Sequence, residues 1–276
     1  MPRISRLAIG IVIGFALCTS SAFAAQTSTD PLSAAIASPA RTPANVARDR
    51  YRHPLETLRF FGIQPDATVV EIWPGGGWYM EILAPYLHDH GRYYAALDAP
   101  RASAPADDEE KTLAARLRKK LADDPGRYGK VTVTEFHPPE RSEICPPGTA
   151  DLVLTFRNVH NFIENGNQQA MFEAFFKALK PGGVLGVVEH RARPGTTPEQ
   201  SIKTGYVDEA LVKKLATAAG FRFDAESAVN DNPKDTKDYP EGVWTLPPTL
   251  ALKDKDRARY LEIGESDRMT LRFVKP

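Results

Sequence analysis

The sequence predicts an α/β fold in which a mostly parallel sheet carries helices on both faces. Strand-like and helix-like segments alternate from residue 68 onward, which is the pattern of successive βαβ units. Three glycines, Gly75, Gly76 and Gly77, follow the first predicted strand and precede a helix. Residues 150–156 form a nearly continuous apolar run, as expected for a strand buried on both faces in the middle of the sheet.

The individual elements follow from apolar periodicity and from the glycines, prolines and capping residues that end each segment. Strands are predicted at 68–72, 92–97, 131–136, 150–156, 184–188, 221–229 and 269–274. Helices are predicted at 54–61, 78–87, 107–121, 168–179, 208–219 and 254–263. Residues 230–267 are too long for an ordinary connection, so we predict an insertion of the kind that often covers a site.

The composition is that of a globular protein with one large core. The chain has 276 residues, of which 42% are hydrophobic and 25% are charged. Its 35 basic and 35 acidic residues balance, which gives no general attraction to nucleic acid. We therefore predict one main domain, residues 48–276, and no nucleic-acid partner, while the oligomeric state stays unknown.

Residues 1–24 have the features of a secretory signal peptide: two arginines, an apolar run, and small residues that end at Ala24. The apolar run, residues 7–18, is shorter than the roughly 20 residues of a spanning helix, so we predict no stable membrane span after cleavage. Residues 25–47 are rich in Ser, Thr, Ala and Pro and are predicted to form a flexible leader. We expect export through a Sec-type signal to the periplasm or the medium.

The glycine-rich turn predicts a site where a ligand approaches the backbone closely. Glu71, near the end of the preceding strand, would repel a pyrophosphate, so a cationic ligand fits better than a dinucleotide. Asp98 ends the second strand about twenty residues beyond the glycines, where a carboxylate can accept hydrogen bonds from both hydroxyls of a ribose. A purely structural turn, and a turn role for Asp98 ahead of Pro100, remain alternatives.

These residues resemble the class I S-adenosylmethionine-dependent methyltransferases, whose first motif is an acidic residue followed by glycines at alternate positions. Glu71, Gly75 and Gly77 match that motif, and the resemblance covers roughly residues 48–191. The strings EIWPGGGWY, DLVLTFRNVHNF, ALKPGGVLGVVEHRA and ESDRMTLRFVKP look like an uncharacterised family of predicted bacterial methyltransferases with an N-terminal signal peptide. With that family the resemblance extends over residues 48–276.

The resemblance implies a Rossmann-like, seven-stranded, mostly parallel sheet with S-adenosylmethionine as the cofactor. It implies that Glu71 holds the amino-acid end of the cofactor and that Asp98 holds the ribose. Trp73 stands where the family has its first glycine and would crowd the methionine end of the pocket. The remaining cofactor-binding residues that it implies are Gly75, Gly76, Gly77 and Asn158, with Glu135 and Phe136 beside the adenine.

Polar residues follow the fourth and fifth strands, where loops of this architecture carry function. His160 and His190 can face one cleft, and a histidine with a pKa of about 6.5 can accept a proton near neutrality. We predict His160 as the first and His190 as the second candidate base, with Arg157 or Arg191 orienting an anionic acceptor. The alternatives are structural histidines, an arginine in a rim ion pair, or a metal site that adds Glu189, and we predict no metal.

The implied function is methyl transfer to an unidentified, small-molecule acceptor, in which alignment of donor and acceptor supplies on the order of 7–11 kcal/mol. S-adenosylmethionine is made in the cytosol, whereas the signal peptide directs the chain outward. A second hypothesis is therefore a non-catalytic ligand-binding protein on a degenerate methyltransferase scaffold, with Trp73 filling part of the pocket. A nicotinamide-dependent oxidoreductase fits the strand pattern, but Glu71 and Pro74 fit its glycine motif poorly.

Overall fold

The computed structural model describes residues 30–98 and 109–276, so the predicted signal peptide lies outside the described residues. One seven-stranded sheet organises this part of the chain, in the order β3-β2-β1-β4-β5-β7-β6. The strands are β1 Thr68–Ile72, β2 Arg92–Asp98, β3 Thr132–Phe136, β4 Ala150–Phe156, β5 Leu179–His190, β6 Arg222–Glu226 and β7 Arg268–Val274. Only β7 runs antiparallel to its neighbours, β5 and β6, which confirms the prediction of a mostly parallel sheet.

Helices cover both faces of the sheet, as predicted. The helices are α1 Pro31–Ile36, α2 Pro43–Val46, α3 Asp49–Arg52, α4 Pro54–Phe61, α5 Met80–Leu87, α6 Glu109–Asp123, α7 Pro125–Tyr128, α8 Val159–Glu164, α9 Gln168–Ala178, α10 Pro198–Thr204, α11 Glu209–Ala218 and α12 Arg257–Ile263. Two short 3-10 helices span Ala228–Asn230 and Gly242–Thr245. None of the helices in the two described ranges is long and apolar enough to cross a membrane.

Two hydrophobic cores lie on opposite faces of the sheet because successive strand residues point in opposite directions. In β1, Val70 packs into one core with Phe172 and Phe175 of α9. The neighbouring Val69 packs into the other core with Met80 of α5. Strand β4 is buried on both faces and lies between β1 and β5, as its apolar run predicts. The order reverses between β1 and β4, which places the ligand site of such a sheet at their carboxyl ends.

The predicted flexible leader, residues 25–47, is described from residue 30, and that part folds onto the domain. Asp30 caps α1 by accepting a hydrogen bond from the Ser33 amide at 3.1 Å, and Leu32 is buried against the core. Thr42 donates its backbone N–H and its hydroxyl to Glu81 of α5. The prediction is wrong for residues 30–47, because Pro31 and Pro43 begin short helices there and Asp30 caps the first of them.

Residues 230–267, the predicted insertion, pack against the same edge of the sheet as the predicted site. Its own small core contains Tyr239, Leu246 and Tyr260. The Asn232 side chain donates to the carbonyl oxygens of Ile263 and Glu265 at 2.9 and 2.7 Å, which ties the start of the insertion to its end. The predicted helix at 254–263 forms as α12, three residues shorter at its beginning.

Candidate functional site

Two neighbouring cavities lie at the carboxyl ends of β1, β2 and β4, and the glycine-rich turn forms a wall of both. The first, here called the β2 cavity, has a volume of ≈ 110 Å³ and is lined by Trp73, Pro74, Gly75, Leu97, Asp98, Leu113, Ala114, Asn158 and Asn161. The second, here called the arginine cavity, has a volume of ≈ 190 Å³ and is lined by Asn45, Arg48, Arg52, Glu71, Trp73, Pro74, Gly75, Gly76, Trp78, Tyr79, Phe156, Arg157 and Asn158.

The glycine turn requires two of its glycines for different reasons. Gly75 and Gly77 adopt φ values of 55° and 78°, in the left-handed region that glycine enters without strain. A Cβ atom on Gly77 would lie 2.9 Å from side-chain atoms of Leu117 and Met80, so this glycine lets the turn pack on the core. A Cβ atom on Gly75 would meet nothing within 4 Å, because this glycine faces the space between the cavities.

Trp73 also has a positive φ, 45°, and several contacts hold it there. Its indole Nε1–H donates to the Phe136 carbonyl at 3.1 Å, and its ring packs edge-on against Phe162 at 5.0 Å between centroids. Asn158 donates its side-chain amide to the carbonyls of Ile72 at 2.9 Å and Trp73 at 3.4 Å. The indole therefore lies mostly in the core and forms a wall of both cavities, which remain open on either side of it.

Asp98 ends β2 and lines the β2 cavity, where its Oδ1 atom lies 3.0 Å from Nδ1 of His137. Sequence reasoning misses His137, although His137 directly follows a strand, as the polar residues 157–160 do. The resemblance implies that Glu135 and Phe136 lie beside an adenine, but neither residue lines the β2 cavity or the arginine cavity. Phe136 is fully buried in the core, and Glu135 is exposed in ion pairs with Arg118 and Arg141. Successive side chains of β3 point to opposite faces of the sheet, so Phe136 enters the core and Glu135 points to solvent.

Glu71 is buried at the base of the arginine cavity. Its Oε2 atom accepts a hydrogen bond from the Tyr93 hydroxyl at 2.5 Å. Burial raises the pKa of Glu71 to about 7, and the hydrogen bond from Tyr93 and the charges of Arg157 and Arg52 only partly oppose this rise. At neutral pH this carboxyl group is therefore present in both protonation states.

His160 and His190 lie together, as the positions of their strands predict. Their ring centroids are 5.6 Å apart, and Nδ1 of His160 lies 3.2 Å from Oε1 of Glu189. The buried Glu189 carboxylate also accepts the backbone N–H groups of Val159 at 2.5 Å and His190 at 2.8 Å. Because the carboxylate accepts from Nδ1–H, the Nε2 atom of neutral His160 keeps a lone pair that can accept a proton. Trp244, from the insertion, packs edge-on against the His160 ring at 6.1 Å.

The surroundings of His190 keep it neutral. Its Nδ1 atom lies 2.5 Å from the hydroxyl oxygen of Ser266. Burial holds the pKa of His190 well below its usual range, and the nearby charges of His160 and Arg157 lower it further. His160, Glu189 and His190 offer ligand atoms within 4.8 Å of one another, which is close enough to consider a metal ion. The hydrogen bonds already made by Glu189 and the neighbouring arginines favour a hydrogen-bonded group over a cation site.

Arg157 and Arg191 differ in their availability to a ligand. Arg191 forms ion pairs with Asp231 at 2.6 Å and with Glu209 and Asp267 at longer distances. Arg191 therefore matches the alternative interpretation, an arginine in an ion pair at the rim of the site. Arg157 has a φ of 60°, and its side chain lines the arginine cavity. Sequence reasoning missed Arg48 and Arg52, which line the same cavity from α3 and the residue before it.

The chain is similar to solved structures, but no family model and no curated protein matches its sequence. The finer resemblance to one bacterial family therefore stays a prediction.

Several solved structures share the architecture. Phosphoethanolamine N-methyltransferase 2 of Haemonchus contortus, in complex with S-adenosyl-L-methionine, is 14% identical, with a TM-score of 0.53 over 82% of this chain and 53% of that one. An O-methyltransferase family protein from Burkholderia thailandensis is 16% identical, with a TM-score of 0.50 over 84% of this chain and 58% of that one. The cyclase SpnF is 16% identical, with a TM-score of 0.51 over 82% of this chain and 80% of that one. These similarities, together with the strand order, show that the chain has the Rossmann-like class I methyltransferase fold.

Proposed function

We propose that the protein is an S-adenosylmethionine-dependent methyltransferase that acts on a small-molecule acceptor. The observation that carries the proposal is the position of Asp98 and Gly75 on the walls of one cavity at the carboxyl ends of β1 and β2. The fold alone does not choose a reaction, since one protein with this fold is a cyclase. The choice of reaction therefore depends on the residues of the site.

The residues at the two cavities fit the chemical groups of this cofactor. The Asp98 carboxylate can accept hydrogen bonds from two ribose hydroxyls, and Gly75 leaves space for close approach to the backbone. Glu71, at the base of the arginine cavity, would face the amino-acid end. The indole of Trp73, between the two cavities, offers an aromatic wall to a sulfonium charge.

When bound, S-adenosylmethionine supplies an electrophilic methyl group for in-line displacement. The protein's own contribution is to position the acceptor and to take its proton. His160 would accept that proton at Nε2, and the Glu189 carboxylate at Nδ1 would stabilise the resulting imidazolium. Trp244 would shield the His160 ring from water. His190, held neutral by burial, is the second candidate base.

Methyl transfer can be tested by following S-adenosylhomocysteine release in the presence of panels of hydroxyl- and amine-bearing small molecules. We expect release that depends on the acceptor and that falls about 100-fold or more in His160→Gln. His88→Gln, at an exposed pair with Asp89, is the matched control and should keep full activity. Equal rates in His160→Gln and the wild type would remove His160 from the mechanism.

We also propose that the chain is exported, on the sequence of residues 1–24. Cell fractionation followed by mass spectrometry of the N-terminus tests this proposal. A chain that begins at Ala25 outside the cytosol would support export. A chain that begins at Met1 in the cytosol would contradict it and would place the protein beside the cofactor's source.

A further inference from the structure

Four arginines meet around a single carboxylate beside the arginine cavity. The Glu265 oxygens pair with Nε of Arg48 at 2.6 Å, Nε of Arg52 at 3.1 Å and Nη1 of Arg268 at 3.0 Å. The side chain of the fourth, Arg157, has no hydrogen-bond partner among residues 30–98 and 109–276. Arg48, Arg52 and Arg157 line the cavity, and we call these three with Arg268 the arginine cluster.

The cluster contains more hydrogen-bond donors than the described chain satisfies. Arg52 is only 1% exposed, and its Nη1 and Nη2 atoms are buried without a partner. Nη2 of Arg48 and Nε of Arg268 are also buried without a hydrogen-bond partner in the described part of the chain. The Arg52 guanidinium lies 4.7 Å from the centre of the Trp78 ring, and this contact accepts no hydrogen bond from its Nη1 and Nη2 groups. Buried charged donors of this kind are costly unless a ligand or another group accepts from them.

The cluster also has an excess of positive charge. Burial lowers the pKa of Arg157 to about 10, which leaves it protonated at neutral pH. Burial would raise the pKa of Glu265, but the surrounding arginines outweigh this effect and lower it to about 2. Burial holds the pKa of Arg52 well below its usual range, and the charge of Arg157 lowers it further, while Glu265 only partly opposes this fall. The four arginines therefore have only one full negative charge beside them, on Glu265, and a partial one on Glu71. The carboxylate of S-adenosylmethionine could pair with one of these groups, but the cofactor as a whole has a net positive charge and leaves the excess in place.

We propose that the arginine cluster binds an oxyanion, a carboxylate or a phosphate, that belongs to the methyl acceptor. The proposal rests on the proposed function and narrows it, because the acceptor is then an anionic small molecule. Planar guanidinium groups recognise such oxyanions through paired hydrogen bonds. Arg157 lies three residues before His160 and just ahead of α8, the helix that carries His160, so a bound oxyanion would hold the acceptor on the side of the proposed base.

The test is a calorimetric titration of the purified protein with inorganic phosphate at constant ionic strength. We expect binding that weakens by about tenfold or more in Arg157→Gln, because one buried charged donor is lost. Arg157→Gln is preferred to Arg52→Gln, since Arg157 makes no side-chain hydrogen bond and Arg52 pairs with Glu265. Arg222→Gln, an exposed arginine on β6, is the control and should leave phosphate affinity unchanged. Circular dichroism checks that each variant is folded.

A second titration, in saturating S-adenosylhomocysteine, separates the two possible sources of the oxyanion. Phosphate binding that persists supports an acceptor site. Phosphate binding that S-adenosylhomocysteine abolishes would assign the cluster to the carboxylate of the cofactor and overturn the proposal. Binding of S-adenosylhomocysteine without any phosphate binding would overturn the proposal but leave the proposed function standing. Phosphate binding without S-adenosylhomocysteine binding would overturn both the acceptor assignment and the proposed function.

Discussion

Glu189 holds His160 through Nδ1, with 3.2 Å between that nitrogen and Oε1 of the carboxylate. Glu189 is fully buried, and two backbone N–H groups fix its position. The pair joins β5 to the start of α8, so the fold itself sets the orientation of the imidazole. An oriented base of this kind needs no large movement to accept a proton from a bound acceptor.

Removal of the Glu189 charge should change the tautomer of His160. In the wild type we expect the neutral ring to carry its proton on Nδ1, since the carboxylate accepts from that atom. In Glu189→Gln the neutral amide is a weaker acceptor, and we expect a mixture of the two tautomers. Long-range proton–nitrogen correlation NMR distinguishes them, with Glu164→Gln at the exposed end of α8 as the control. A wild-type ring protonated on Nε2 would contradict the assignment of His160 as the base.

Asp98 and Glu135 give a matched test of the cofactor site. Asp98→Ala should weaken S-adenosylhomocysteine binding by about 10- to 100-fold, because two hydrogen bonds to a charged group are lost. Glu135→Ala should change the affinity less than about twofold, because Glu135 forms only exposed ion pairs. Calorimetric titration measures both variants. A larger effect in Glu135→Ala than in Asp98→Ala would restore the adenine contact that the resemblance implies.

Glu71 should make stability depend on pH. Its pKa is raised from 4.5 to about 7 in the folded state, so the contribution to stability is full below pH 4.5 and is lost as the pH rises through 7. The shift corresponds to about 3 kcal/mol. Urea denaturation of wild type and Glu71→Gln should therefore show the wild type losing about this much relative to the variant between pH 4 and pH 8. Parallel pH profiles would show that Glu71 titrates normally.

Trp73→Gly tests whether packing or backbone strain dominates at the first position of the turn. Glycine would relieve the positive φ by about 1–2 kcal/mol, but loss of the buried indole costs about 3–5 kcal/mol. We expect a net loss of stability of about 1–4 kcal/mol in urea denaturation. Trp73→Phe, which mainly removes the hydrogen bond to the Phe136 carbonyl, should lose about 1 kcal/mol. A more stable Trp73→Gly variant would mean that the tryptophan is retained at a cost to the fold.

The sequence predicts the strands and the central position of β4 because these depend on local apolar patterns. It also places His160 and His190 side by side, since both follow adjacent parallel strands. It does not predict which face of the sheet Glu135 and Phe136 each point to, because that depends on the register of β3 with β2.

The arginine cluster could not be predicted from the sequence, for a different reason. Arg48 and Glu265 are 217 residues apart in the chain, and no local spacing connects them. The predicted leader ends immediately before Arg48, and nothing in the local sequence marks Arg48 or Arg52 as part of a site. The string ESDRMTLRFVKP contains both Glu265 and Arg268, but only the folded chain brings Glu265 into contact with Arg48 and Arg52 of the cavity wall.

Calorimetric titration of purified wild type, Gly75→Val and Gly148→Val tests whether the glycine turn binds S-adenosylmethionine. Gly148 is the control because it has a similar positive φ, 70°, and the same open space, but it lines neither cavity. We predict micromolar binding of S-adenosylmethionine and S-adenosylhomocysteine by wild type and Gly148→Val, and none by folded Gly75→Val. No binding of either compound by folded wild-type protein would contradict the account.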